Sequence, residues 1–317
     1  MSSPGFFQSA PPDVAVEIEA GQVSAARLSW RGSAATIAAH AIEPLPTGAV
    51  VPSLAASNIA DVPVVGRAIA QVVDRLGVRA RRAALVVPDT VAKVSLIKFE
   101  NVPAKSTDLV ELMRWQIRKT APFPLEQATL SFTPGVKPPD GGQEFVVTVA
   151  RTDVVTEYER ACEHAGLHAG LVDLSTFSII NGVLSGNISA SGDWLLVHAT
   201  PTYTTLTVMR DRDLIFFRHR DEEAEATLAD VVHQTAMYYE DRLKGAGFAR
   251  VLLAGGSVVP GGADTLRRNI EERLGIEIEP VDPRTSAALL DRISASPDVL
   301  DALAPLVGIL LRERKVA

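Results

Sequence analysis

Cysteine is nearly absent from this chain, positive charge is in deficit, and no apolar run is long. Cys162 stands alone among 317 residues, which excludes an intrachain disulfide and any zinc cluster built from cysteines and points to a reducing compartment. The formal net charge of -7 removes a general attraction to nucleic acid or anionic lipid, since both need clustered Lys and Arg. One dense basic run, Arg79, Arg81 and Arg82, falls where a helix hands over to a strand and reads as a solvated turn. The longest apolar stretches, such as 303–311, are far shorter than the roughly 20 residues that cross a bilayer. Residues 1–12 have neither a basic start nor an apolar stretch of signal-peptide length and read as a disordered leader. The expectation is a cytoplasmic protein that reaches a membrane only through partners.

Catalytic signatures are missing too. There is no Gly-x-x-x-x-Gly-Lys-Ser/Thr loop and no Gly-x-Gly-x-x-Gly after the first strand. Ser257 follows Gly255-Gly256, but position 259 is Val, so the hydrolase elbow is not met. Glu163, His164 and His168 suggest a metal pair, yet Gly166 lies between the histidines and ends the helix, so no metal is expected. His198, at a strand end, reads as a packed histidine rather than a base. Nothing assembles acid, base and nucleophile, so no catalytic residue is assigned and the chain reads as a non-enzyme.

What is present is one pattern written twice. With 47% hydrophobic and 22% charged residues the composition is globular, sufficient for one bilobal unit. Three β-type runs, 14–18, 23–30 and 35–42, lead to Asp61 as a helix N-cap. Val65, Ile69, Val72, Val73 and Leu76 then share one helical face, and Gly77 stands at the C-terminal cap. A strand at 83–87 follows, and after an interruption come a helix from Asp153 to Gly166, a strand at 167–172 and a helix at 177–184. The second half repeats the order: strands at 194–197, 204–209 and 214–217, a helix from about 225 to 243, a strand at 251–254, a helix at 263–274, a strand at 276–278 and a helix ending near Leu311. Both halves read βββαβαβα, which implies a mixed sheet covered by helices in each lobe.

The interruption reads as a small α/β module over 88–150. It holds a hairpin-like pair around Pro88-Asp89-Thr90 with Ala92, Val94 and Leu96 alternating. A helix at 108–119 follows, stopped by Pro122 and Pro124, and then a strand at 145–149. The domain reading is therefore a first lobe over 13–87 plus 151–188, the inserted module over 88–150, and a second lobe over 189–317.

Several segments carry a family likeness. Leu112-Met113-Arg114-Trp115-Gln116 runs into Ala121-Pro122-Phe123-Pro124-Leu125-Glu126-Gln127-Ala128. Further on stand Val149-Ala150-Arg151, Ala165-Gly166-Leu167, Val172-Asp173 and Leu253-Ala254-Gly255-Gly256-Ser257, and a Gly-Ile-Leu-Leu-Arg run ends at Arg312. In this order they resemble the PilM family of type IV pilus assembly proteins across nearly the whole chain. The resemblance implies a duplicated actin-like α/β fold of the FtsA and PilM variant.

Departures from the family pattern fall on the nucleotide motifs. Where relatives open with an Asp-Ile-Gly-Thr-Ser turn, this chain has Glu17-Ile18-Glu19-Ala20-Gly21-Gln22, placing a carboxylate and a Cβ where backbone should approach phosphate. The second phosphate turn aligns with His198-Ala199-Thr200 and then Thr204-Thr205, without its acid and its glycine. The subdomain that closes over the base is expected to be missing, because the chain passes almost directly from Arg220 to a helix near 225. Thr204, Thr205, Gly255 and Gly256 are what remains of a site for ATP with magnesium. The Gly-Gly turn reads equally as a tight strand-to-helix connection.

The resemblance implies a scaffold with nucleotide binding weakened or lost, holding the cytoplasmic tail of a PilN-like bitopic membrane protein between the first lobe and the inserted module. Other pilus or secretion motor components are implied as partners, and self-association is possible. Met113, Trp115, Ile117, Phe123 and Leu125 read either as lining that groove or as core of the inserted module, with Phe123, between two prolines, the best candidate for a partly exposed anchor. Two alternatives are an actin-like protein that still binds or slowly hydrolyses ATP, and a type II secretion component of the GspL kind. Proteins of that kind continue into a transmembrane helix, which this chain, ending at Ala317, lacks.

Overall fold

The computed structural model describes residues 12–186, 192–221, 227–259, 261–291 and 293–312. Except for Pro12, the expected leader lies outside the described residues, as does the expected helix start at 225.

β1 (Val14–Ile18), β2 (Gln22–Arg31) and β3 (Ala34–Pro44) form an antiparallel meander. α1 (Val62–Arg75) follows, and the Asp61 side chain accepts a hydrogen bond from the Val64 amide at its start. Gly77 adopts φ 70° just past its end, a left-handed conformation that glycine takes without a Cβ penalty. β4 (Arg82–Val87) returns parallel to β1, and β5 (Ala92–Phe99) leaves for the inserted module. That module adds α2 (Ser106–Ile117), β6 (Ala128–Pro134) and β7 (Gln143–Arg151). α3 (Thr152–His164), β8 (His168–Leu174) and α4 (Ser175–Ser185) complete the first half.

The second half is β9 (Asp193–Ala199), β10 (Tyr203–Arg210), β11 (Asp213–Asp221), α5 (Leu228–Leu243), β12 (Arg250–Ala254), α6 (Gly262–Leu274) and β13 (Ile278–Pro280). It orders its strands β11-β10-β9-β12-β13, and the first half orders its own β3-β2-β1-β4-β8. The two orders are the same, so the duplication read from periodicity is real at the level of topology. Only 222–227 separate β11 from α5.

Three findings revise the sequence reading. β5 does not form a hairpin with β4. β4 is already flanked by β1 and β8, and a short 3₁₀ turn at Asp89–Val91 carries the chain out of the sheet, where β5 pairs antiparallel with β7. β6 is an additional strand on the other side of β7, making the module's sheet β5-β7-β6. Finally, the C-terminal stretch returns to the first sheet: β14 (Ala288–Leu289) pairs with β3, and α7 (Pro297–Arg312) packs its Leu303, Leu306, Val307 and Leu310 beneath β1, β2 and β4. The boundary of the second lobe at 189–317 is therefore too simple.

That return explains the apolar run at 303–311. A helix buried between a sheet and another helix has no solvent face to keep polar. α7 meets α4 at paired glycines: a Cβ on Gly308 would sit 1.7 Å from the Ser178 carbonyl oxygen, so only glycine permits this approach. α4 thereby becomes the central helix between lobes, with Ile179, Ile180 and Val183 packed against Trp194, Leu196 and Leu252 of the second sheet.

Candidate functional site

Two regions meet on α4. The first is the interlobe cleft at the carboxyl ends of β1, β4 and β9, where the altered phosphate motifs lie. Asp89 is fully buried there. It accepts hydrogen bonds from the Thr176 amide at 3.0 Å, from the Thr176 hydroxyl, and from the Thr205 hydroxyl at 2.6 Å. His198 Nδ1 lies 2.8 Å from Thr176 Oγ1 and 3.7 Å from Asp89 Oδ2. His219 joins from β11, with Nδ1 3.2 Å from Thr205 Oγ1 and Nε2 3.3 Å from Thr90 Oγ1. One carboxylate from the first half thus ties β9 and β10 to α4.

Burial raises the Asp89 carboxyl, but His198 and the two threonine hydroxyls outweigh it and hold the group below the usual aspartate value. Glu17 behaves in the opposite way. It is buried, accepts from Ser175 at 2.8 Å, and is pushed well above the usual glutamate value by desolvation and then by Glu19. Glu19 is itself raised by burial, with His198 opposing. His198 is the packed histidine the sequence suggested, edge-on to Tyr203 with ring centroids 5.6 Å apart.

The remnants of the nucleotide motif sit in this cleft but already have partners. Thr205 serves Asp89, and Thr204 is buried within β10. Gly255 adopts φ 77°, and a Cβ there would lie 2.4 Å from the Ala199 carbonyl, so close strand approach alone demands the glycine. The amides of Gly255 and Ser257 are taken by the Asp301 carboxylate of α7, at 3.1 and 2.9 Å. A triphosphate entering here would meet Glu17, Glu19 and Asp89, and amides that are already bonded. Among the described residues no three His, Cys, Asp or Glu are grouped to hold a metal ion. His164 packs over Gly66 of α1, where a Cβ would come within 2.6 Å of its ring, and His168 is exposed at the start of β8.

The second region is a groove of about 460 Å³ between the inserted module and the first lobe. β6 and β8 run along it, and each is the last strand of its sheet. Phe132, Val172, Leu174 and Phe177 give it an apolar floor, while Ser131, Asn181 and the Arg312–Asp173 ion pair supply polar positions. The turn between β10 and β11 closes one end with Arg212 and Asp213.

None of the five residues expected at a partner groove lines this one. Met113, Ile117 and Leu125 are buried in the core of the module with Phe145 and Val147, and Phe123 packs against that core. Trp115 points outward, 57% exposed, with the Lys119 ammonium 4.6 Å above its ring. The helix-to-turn segment therefore builds the module rather than the groove. The residues that do line it on β6 were missed, although the sequence carried the signal. Ala128, Leu130 and Phe132 alternate with exposed Thr129, Ser131 and Thr133 at the period of a half-buried strand.

No helix among the described residues is long and apolar enough to cross a membrane. The solved structure of a PilM–PilN type IV pilus biogenesis complex superposes with a TM-score of 0.79 at 17% identity, covering 94% of this chain and 97% of that one. A Bacteroides thetaiotaomicron protein with an actin-like ATPase fold gives a TM-score of 0.50 at 8% identity, covering 84% and 89%. The likenesses establish a shared actin-like fold. The sequence over residues 15–241 matches the family of type IV pilus assembly protein PilM, and because that match takes in most of the chain, the protein belongs to this family.

Proposed function

We propose that the chain is a non-catalytic scaffold of a type IV pilus machine that holds the cytoplasmic tail of a PilN-like membrane protein as an extended segment in the groove between β6 and β8. The observation that carries this reading is the pair of sheet edges, unpaired among the described residues, that flank one apolar groove. An edge strand offers free backbone donors and acceptors, and a groove beside it takes alternate side chains, the arrangement that captures extended peptides. The volume suits a few side chains of a tail and not a folded domain. A relative of the same fold is described as a complex with PilN. The scaffold part of the proposal rests on the carboxylates and the occupied amides of the interlobe cleft.

The test is calorimetric titration of the full chain with a synthetic N-terminal tail of a PilN-like membrane protein, and separately with magnesium ATP. Saturable peptide binding that Ser131→Arg weakens by about tenfold or more, with no heat from millimolar ATP, is the expected pair of results. Saturable ATP binding would restore the nucleotide-switched alternative. A peptide that binds wild type and Ser131→Arg equally would place the tail elsewhere.

A further inference from the structure

Residues 45–60, which connect β3 to α1, hold no Asp, Glu, Lys, Arg or His in a chain where 22% of residues are charged. Loops that run over a surface are usually polar and loosely held. This one is apolar and firmly tied. Asn58 is buried and bonds in both directions. Its side-chain amide donates to the Ser53 and Ala56 carbonyls at 2.9 and 2.8 Å, and its Oδ1 accepts from the Ser53 amide at 3.0 Å and the Tyr158 hydroxyl at 3.1 Å. Ser53 Oγ accepts from the amides of Ala55 and Ala56 at 3.3 and 3.2 Å. From α3, Glu157 accepts from the amides of Asn58 and Ile59 at 2.7 and 3.0 Å. A bridge between Val50 and Ile59 closes the base of the loop.

What the tied loop presents is a small apolar cap. Val51 is 57% exposed, Ala55 and Ala56 are exposed, and Pro52 and Leu54 are half-buried beside them. Single exposed apolar residues are ordinary, but here they share one loop. The cap is joined to one end of the groove between β6 and β8. At the other end the Arg212-Asp213 turn lies near Val146, which packs with Met209 and Leu214 and pairs with Thr133. At this end Thr129, Ala150 and Val155 line the groove. Thr129 Oγ1 lies 3.1 Å from Thr152 Oγ1 in the first turn of α3. Arg151, which follows Ala150, bonds Asp153 in the same turn and donates to the Ala55 carbonyl of the loop.

We propose that the loop at 51–56 is a second contact for the tail that fills the groove: the segment leaving past Ala150 crosses the first turn of α3 and lays an apolar side chain on Val51, Ala55 and Ala56. The inference rests on the reading of the groove as the tail site and extends that surface by continuity. A loop already held in one conformation adds contact area without an ordering cost at binding. It carries no charged side chain to desolvate, and the Arg151–Asp153 pair on the way is already matched, so the crossing segment needs no charge of its own. The tail recognised is therefore longer than the groove, with a further apolar residue beyond the part that sits between the strands.

Calorimetric titration of the full chain with tail peptides of two lengths tests it. One is trimmed to the shortest peptide that still saturates the groove; the others extend it by six native residues at one end or the other, a reach of about 20 Å when extended. Extension at one end should tighten binding by about tenfold, as burial of one apolar side chain allows. Val51→Asp with Ala56→Asp should remove that gain and leave the affinity of the trimmed peptide unchanged. Val102→Asp with Val110→Asp, the same charge change at exposed apolar positions of the inserted module, should leave both affinities unchanged. Extended peptides that bind no tighter than the trimmed one would overturn the proposal and leave the groove standing. So would a loop pair that weakens trimmed and extended peptides equally, since the loop would then act through the groove. Failure of every peptide to bind would overturn the groove reading and the extension together. Self-association of the free chain that the loop pair abolishes, with equal affinities for all peptides, would assign the loop to a second copy instead.

Discussion

The interlobe cleft and the groove beside β6 share the helix α4, yet one is filled from within and the other is open. Thr176, in the first turn of α4, lies inside the cleft, bonded to Asp89 and His198. Phe177, Ile180, Asn181 and Leu184 of the same helix face the groove. In the cleft Asp89 is bonded by the Thr176 and Thr205 hydroxyls, and the amides of Gly255 and Ser257 end on Asp301. In the groove two sheet edges have no neighbouring strand among the described residues. Polar groups bonded to one another tie elements of the fold together, whereas an unpaired edge keeps its binding capacity for a partner.

The largest effect should come from breaking what both regions rest on. Gly308→Ala forces a methyl into the Ser178 carbonyl and parts α7 from α4, with an expected loss of about 3 kcal/mol in urea unfolding and loss of tail binding with it. Asp89→Ala attacks the cleft alone. It strands Thr205, Thr176 and His198 without their acceptor and should also cost about 3 kcal/mol, while the protein that remains folded still binds the tail. Asp89→Asn, which keeps one acceptor oxygen, should cost less.

Ser131→Arg is the converse. It blocks an exposed groove position, so tail affinity should fall by about tenfold or more while the unfolding free energy stays within about 0.5 kcal/mol of wild type. Tail binding and urea unfolding measured on Asp89→Ala and Ser131→Arg together decide whether the two regions are independent.

The smallest effect sharpens the electrostatics of the cleft. The folded Glu17 carboxyl is raised above its ordinary 4.5, so the native state holds this proton more tightly than the unfolded chain, and stability declines as pH rises from that value through the folded one. Glu17→Gln removes the decline and should raise the thermal midpoint at neutral pH by a few degrees, on the order of 1 kcal/mol. Asp89 has the opposite sign. Its folded value lies below 3.8, and the stability it contributes is lost only as pH falls from there through the folded value. A thermal-midpoint profile across the acid range, in wild type and Glu17→Gln, reads both.

Local features of the fold were legible because their causes are local. The Asp61 cap, the face of α1 and the glycine at 77 follow from hydrogen bonds and periodicity within a single helix. The altered motifs around Glu17, Glu19 and His198 were legible as a loss of small residues and of an acid. The groove was not. Met113, Ile117 and Leu125 have the same apolar character whether they face a partner or a core, and only the packing of α2 against β7 separates those readings. β6 alternates at the period of a strand, but that period names neither its partner, β7, nor the groove its other edge borders.

The duplicated order of strands and helices, the interruption by a small α/β module and the altered phosphate-turn residues could be read from residue order alone, since each is written in adjacent residues or at a fixed period. Long-range packing settled that α7 returns beneath the first sheet, that Asp89 and Asp301 occupy donors in the cleft, and that two sheet edges flank one groove. Each of these is a meeting of side chains or strands distant along the chain, and which distant groups meet is settled by the close packing of layers.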